Sequence, residues 1–155
     1  MNAPNRFGVV ASYVHADAQF GALVELGCES RAASLAQEFR VLAHQLAMQV
    51  AATNPLVLRR EDLTAEMRSA EMRRLAAKEI GAGRSGGFAQ RVAAASVAQF
   101  HEQACLLEQK FIQDAGITIA ELLGSAGASL KEELRVIRFV RFSIADRDCT
   151  AGEKP

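Results

Sequence analysis

The sequence predicts an α+β fold, an antiparallel sheet of about three strands with helices packed on it. Three observations carry this reading. The runs Gly8–His15, Phe20–Leu26 and Leu134–Ile144 are rich in β-branched and aromatic residues and alternate with a period close to two. After the second run, Leu35, Phe39, Leu42, Leu46 and Val50 recur at spacings of three and four, the apolar stripe of a helix that lies on a sheet. Further on, Thr118-Ile-Ala-Glu121 has capping-box spacing and predicts another helix, running to about Ala128.

In chain order, Gly8–His15 and Phe20–Leu26 are joined by the short polar Ala16-Asp17-Ala18-Gln19, which predicts a hairpin. Phe20, Ala22, Val24 and Leu26 share one face of the second strand, and Gly21, Leu23 and Glu25 share the other. The long helix should stop at Asn54, because Pro55 disfavours helical backbone in the residue before it. Between strand and helix sits Gly27-Cys28-Glu29-Ser30-Arg31-Ala32-Ala33-Ser34, a short turn held by two rigid elements and so a natural place for a functional tip.

Beyond Pro55 and the charged Arg59-Arg60-Glu61-Asp62, Thr64 to Ala82 reads as a helix. Its apolar set (Met67, Ala70, Leu75, Ala76) is sparse, so it should pack along one edge only. Gly81 to Gly87 reads as a flexible linker; it lacks the GxxxxGK[ST] order of a phosphate loop and no strand precedes it. Phe88 to Gln103 resumes a helix with Phe88, Val92, Val97 and Phe100 inward, and a short strand is expected near Phe111. In the last strand Val136, Val140, Phe142 and Ile144 should share one face, with Ile137 and Phe139 on the other beside Arg135 and Arg141. Neither face is purely polar, which suits a strand covered on both sides or used at an interface. The residues from Asp146 read as a flexible tail.

Composition narrows the function. The 155 residues fit one domain or two subdomains sharing a core. A formal net charge of zero argues against a nucleic-acid partner. No apolar run approaches the roughly 20 residues that cross a bilayer, and MNAPNRFGVV lacks the layout of a signal peptide, so a cytoplasmic protein with no membrane partner is expected. Cys28, Cys105 and Cys149 form no closely spaced pair, and no CxxC or HExxH spacing supports a metal site, even with His101 and Cys105 on one helix face. The histidines have no Ser or Cys partner in any recognisable motif: His15 reads as a strand-end residue bonding a backbone group and His44 as a surface residue. The sequence therefore predicts no enzyme, no metal and no cofactor.

More specific order is present as well. VELGCES, then Glu38-Phe39, then Leu46-Ala-Met-Gln-Val-Ala51, then Asn54-Pro55 resembles the core domain of bacterial elongation factor Ts, which usually reads V-E-x-N-C-E-T-D-F-V-A, E-F, L-A-x-x-I-A-M-H-I-A and P. Tyr13, His15, Gly21, Leu23, Val24 and Glu25 match the family's opening hairpin, and Leu106-Leu-Glu-Gln-Lys-Phe-Ile-Gln-Asp114 is close to its L-L-E-Q-P-F-V-K-D. Near the end, Glu132, Val136, Arg138, Phe139, Arg141 and Phe142 match G-E-N-I-x-V-R-R-F-x-R-F, whereas Lys131, Glu133 and Ile137 depart from it. The resemblance spans roughly Phe7 to Ile144; the family's small helical N-terminal module with its T-G-A-G motif lies outside it.

The resemblance implies a core domain over 7–145, in two related subdomains of roughly 7–83 and 84–145, with 146–155 as the tail. It implies a guanine-nucleotide exchange factor for the GTPase elongation factor Tu, acting in protein synthesis. The family's T-D-F-V tip displaces a magnesium ion that bridges phosphates and switch residues. Ser30, Arg31, Ala32 and Ala33 stand at its position, so the aspartate is replaced by a cation and the ring by a methyl group. Gln49, where the family has histidine, Phe111, Arg138 and Arg141 are further candidate partner contacts. Two alternatives stay open: a binding module that keeps the fold without exchange, and a homodimer formed through the sheet.

Overall fold

The computed structural model describes residues 6–145; the expected tail and Cys149 lie outside them. Contacts divide the chain into two units. One takes the chain up to Asn54 and from Phe111 onward; the other is Pro55–Lys110.

In the first unit, β1 (Phe7–Val14), β2 (Phe20–Cys28) and β5 (Arg135–Ser143) form an antiparallel sheet in the order β1-β2-β5. The β1–β2 hairpin closes where His15 N–H donates to Phe20 O at 2.9 Å and Ala18 N–H to His15 O at 2.8 Å. The Asp17 carboxylate accepts from Gln19 N–H at 3.0 Å, the local bond that makes Asp a turn residue. The inward face of β2 is the one its alternation predicts: Ala22, Val24 and Leu26 are buried, and Leu23 is exposed.

The last strand departs from its simple alternation. Glu25 pairs with Arg138, but Leu26 pairs with Val136, so Ile137 is an extra residue on β5. Such a bulge shifts the phase of the side chains by one. Val136 therefore points into the core while Ile137, Val140 and Phe142 are exposed; Val136 does not share a face with Val140 and Phe142.

Two helices follow β2, where a single stripe suggested one. The short α1 (Arg31–Leu35) ends at Ala36, whose extended backbone also starts α2 (Gln37–Thr53). Phe39, Leu42, Leu46 and Val50 are buried against the sheet, with Ala43 and Ala47 fully buried beside them. Leu35 belongs to α1 and is 59% exposed, so the stripe begins at Phe39. The stop at Asn54 is as expected: the residue is left-handed (φ 49°) and its N–H caps Val50 O at 3.1 Å.

The first unit is completed by α6 (Ile119–Leu130), which follows a small two-stranded sheet of β3 (Lys110–Phe111) and β4 (Asp114–Thr118). The capping box is formed: Thr118 Oγ1 accepts from Glu121 N–H at 3.2 Å, and Glu121 Oε2 accepts from Thr118 N–H at 2.7 Å. At the far end, Lys131 is left-handed (φ 56°), a conformation that favours glycine. Gly127 lies so near the following turn that a Cβ on it would stand 2.7 Å from Glu132 O.

The second unit is helical: α3 (Ala65–Gly81), α4 (Gly86–Ala95) and α5 (Val97–Ala104). No residue of α3 is fully buried, as its sparse apolar set predicts. Of the glycine-rich segment, Gly81 ends α3 and Gly86 and Gly87 open α4, and the turn between them has Gly83 at φ 81°. The expected Phe88–Gln103 helix is broken at Ser96. Leu63, Phe100, Ala104 and Cys105 form a core with Val57 and Met67 against it.

Candidate functional site

The turn after β2 is a tip fixed from below. Ser30 is the N-cap of α1, its Oγ accepting from Ala33 N–H at 3.2 Å. Cys28 Sγ donates to Ser30 O at 3.2 Å, and Ser34 Oγ to Arg31 O at 2.8 Å. Ala33 and Ser34 are buried, Ser30 is half-buried, and Arg31 and Ala32 are exposed. Of the four tip residues, two anchor the turn and two face outward.

A residue that the motif reading left without a role joins this tip. Glu132 Oε2 accepts from the backbone N–H groups of Glu29 and Ser30, at 3.0 and 3.2 Å, and Oε1 accepts from the Ser30 hydroxyl. These bonds hold the Glu132 carboxyl below the usual carboxylate range, the Ser30 hydroxyl contributing most. The sequence carried one signal for it, the Glu in the family's G-E-N.

The other candidate contacts divide. Gln49 is fully buried on α2, and its Oε1 accepts from Ile112 N–H at 2.9 Å. Phe111 is 6% exposed. Neither of these two candidate contacts is on the surface of the chain: Gln49 satisfies a backbone donor, and Phe111 is buried. Replacing Gln49 by Leu leaves the Ile112 N–H without this acceptor and is expected to cost about 1–3 kcal/mol in urea unfolding. An unchanged midpoint would show that water takes over the bond.

Arg138 is on the outer face of the sheet, its Nε 2.6 Å from Glu25 Oε2, with its side chain 82% exposed. Such a pair contributes little to stability and leaves the cation within reach of a partner. Arg141 faces the other way: its Nε donates to Ala51 O at 2.9 Å and its guanidinium lies 5.6 Å from the Phe20 ring centroid. It ties the end of α2 to β5. Beside it His15 stacks on Phe20 with centroids 4.5 Å apart, and its Nδ1 is 3.1 Å from Tyr13 OH. The His15 ring thus meets a tyrosine hydroxyl where a backbone partner was expected. His44 is exposed, with Nδ1 3.1 Å from Ser12 O.

Burial pushes the Cys28 and Cys105 thiols up, away from the thiolate form that makes a nucleophile. Among the described residues no three His, Cys, Asp or Glu side chains are placed to hold a metal, and no helix is long and apolar enough to cross a membrane.

Comparison with known proteins agrees with the motifs. The family model described as Elongation factor TS matches residues 2–146. The chain is 33% identical to elongation factor Ts of Solibacter usitatus over 139 residues, covering 90% of this chain and 66% of that protein. It is 35% identical to that of Moorella thermoacetica and 37% identical to that of Maridesulfovibrio salexigens, in each case over 90% of this chain and 68% of the relative. The chain thus spans about two thirds of the length of the curated relatives it matches. With a matched region that takes in both units and the Ser30–Ala33 tip, the chain belongs to the elongation factor Ts family.

Proposed function

We propose that this protein binds the GTPase elongation factor Tu and promotes GDP release during protein synthesis, presenting the tip at Ser30–Ala33 to the nucleotide site. The observation that supports this reading is the exposure of Arg31 and Ala32 on a turn held by the half-buried Ser30 on one side and the buried Ala33 and Ser34 on the other. An exchange factor performs no covalent chemistry. It binds the nucleotide-free GTPase more tightly than the GDP form, and that difference in affinity drives release. Ala32 has no ring to wedge beside a magnesium ion, so release rests on the remaining contacts, Arg138 among them. The cytoplasm is the compartment this implies.

The test is release of fluorescent GDP from the cognate elongation factor Tu with and without this protein. Acceleration that saturates with concentration supports exchange. Co-elution with the GTPase without acceleration would replace it by a non-exchanging binding module, and neither effect would remove elongation factor Tu as the partner.

A second observation favours a homodimer. Beside the Glu25–Arg138 pair, the outer face of the sheet carries an open apolar patch: Val10, Val14, Leu23, Val140 and Phe142 are all exposed. The strand register makes them neighbours, since Leu23 pairs with Val140 and Gly21 lies between Val14 and Phe142. An apolar patch of this kind marks an interaction surface, and a second copy offers the same face by two-fold symmetry. Phe142→Glu is expected to shift the protein from dimer to monomer in sedimentation velocity at micromolar concentration. A wild-type protein that sediments as a monomer across that range would exclude the dimer.

A further inference from the structure

The Ser30–Ala33 tip is too short to hold its own shape. A helix of five residues is far below the length at which helical backbone is stable in water. Its exposed residues, Arg31 and Ala32, bury nothing that would fix them. Ala33 and Ser34 are buried beneath the turn, and a carboxylate holds its start by hydrogen bonds from 102 and 103 residues away in the chain.

We propose that Glu132 is the positioning residue of the tip: it takes up the N–H groups of Glu29 and Ser30 and the Ser30 hydroxyl, and so holds Arg31 and Ala32 ready for a partner. The inference rests on the functional reading above and adds to it a residue that does not itself face the GTPase site. Three donors from two consecutive residues converge on one acceptor group. The Ser30 hydroxyl gives its single proton to Glu132 and so turns a lone pair toward Ala33 N–H, which makes the N-cap and the tether one arrangement. A charged acceptor makes these bonds stronger than neutral ones.

Glu132 is itself held. Its N–H donates to Gly127 O at 2.9 Å, and Lys131 N–H donates to Ala128 O at 3.3 Å, so the turn after α6 is closed on the helix end. The close approach at Gly127 permits this. On the other side Leu134 and Val136 are buried and lead into β5, the neighbour of β2. The carboxylate is thus carried by a rigid turn between a helix and the sheet, and the tip hangs from it.

The test combines amide exchange with binding, in Glu132→Gln, Ser30→Ala and the double variant. Faster exchange at residues 29–35, with the amides of β1, β2 and β5 unchanged, is the expected result for Glu132→Gln. In the GDP-release assay the concentration for half-maximal effect should rise about tenfold while the plateau rate is kept, because only the fraction of protein with an ordered tip has fallen. The double variant should be no worse than the worse single one. In the wild type the Glu29 and Ser30 amide resonances should move on acidification as Glu132 takes up a proton. The direction follows from its lowered pKa: the bonds are complete above the ordinary carboxylate range and are lost as pH falls through the lower folded value. Glu132→Gln should abolish that movement.

Unchanged exchange at 29–35 would overturn the proposal. So would loss of protection with unaltered GTPase affinity, since the tip would then be ordered to no purpose. A wild-type protein with no effect on elongation factor Tu would overturn the exchange reading, and the amide data would still decide whether Glu132 holds the turn.

Discussion

Replacing Arg31 by Asp and Ala32 by Phe together is expected to accelerate GDP release from elongation factor Tu about tenfold beyond the unmodified protein, within the range of ordinary coupling between two binding sites. Both residues are exposed, so the substitutions disturb little of the fold. They reverse a charge at the point that would approach magnesium and add a ring able to intrude beside it. The backbone that would present them is already built: Ser30 caps α1, and Ala33 and Ser34 sit beneath. Stopped-flow release of fluorescent GDP at saturating protein measures the effect. A rate equal to that of the unmodified protein would mean that the tip does not reach the nucleotide site, and the exchange mechanism would have to run through other contacts. The single variants separate the two contributions, charge from volume.

Phe39→Ala is expected to destabilise the first unit by about 3–5 kcal/mol, the usual cost of emptying a buried phenylalanine site. Phe39 is fully buried on α2, which packs on β1 and β2. Rigid strands and a helix rich in small residues leave the hole little room to collapse. Leu35→Ala supplies the control: Leu35 is 59% exposed, so its loss should change stability by no more than about 0.5 kcal/mol. Chemical unfolding followed by far-ultraviolet circular dichroism compares the two directly. Equal costs would mean that Leu35 is covered in solution, and the break between α1 and α2 at Ala36 would be in error.

That contrast shows where reading the chain by pattern succeeds and where it stops. Leu35 and Phe39 sit on the same stripe by spacing, and nothing in the spacing reveals the extended backbone at Ala36 that separates them. Likewise simple alternation along β5 puts Val136 with Val140 and Phe142, but the bulge at Ile137 moves Val136 to the opposite side from them. The tip was legible as a turn because a strand pattern ends and a helix pattern begins around it. Which of its residues face outward was not, since Arg31 and Ala33 differ in exposure through packing alone.

By itself the sequence determined the α+β class, the inward face of β2, the apolar core of α2, the stop at Asn54 and the capping box at Thr118. Each of these depends on residues within about one or two turns of each other, where propensity, periodicity and capping act directly. Only the tertiary structure decided the strand order β1-β2-β5 and its register, that Gln49 and Phe111 are interior, and that Glu132 meets Glu29 and Ser30. Those outcomes depend on partners distant along the chain. Local propensity carries no information about them, because a buried amide or a tethering carboxylate acquires its role only when the register of the sheet brings its partner within hydrogen-bond distance.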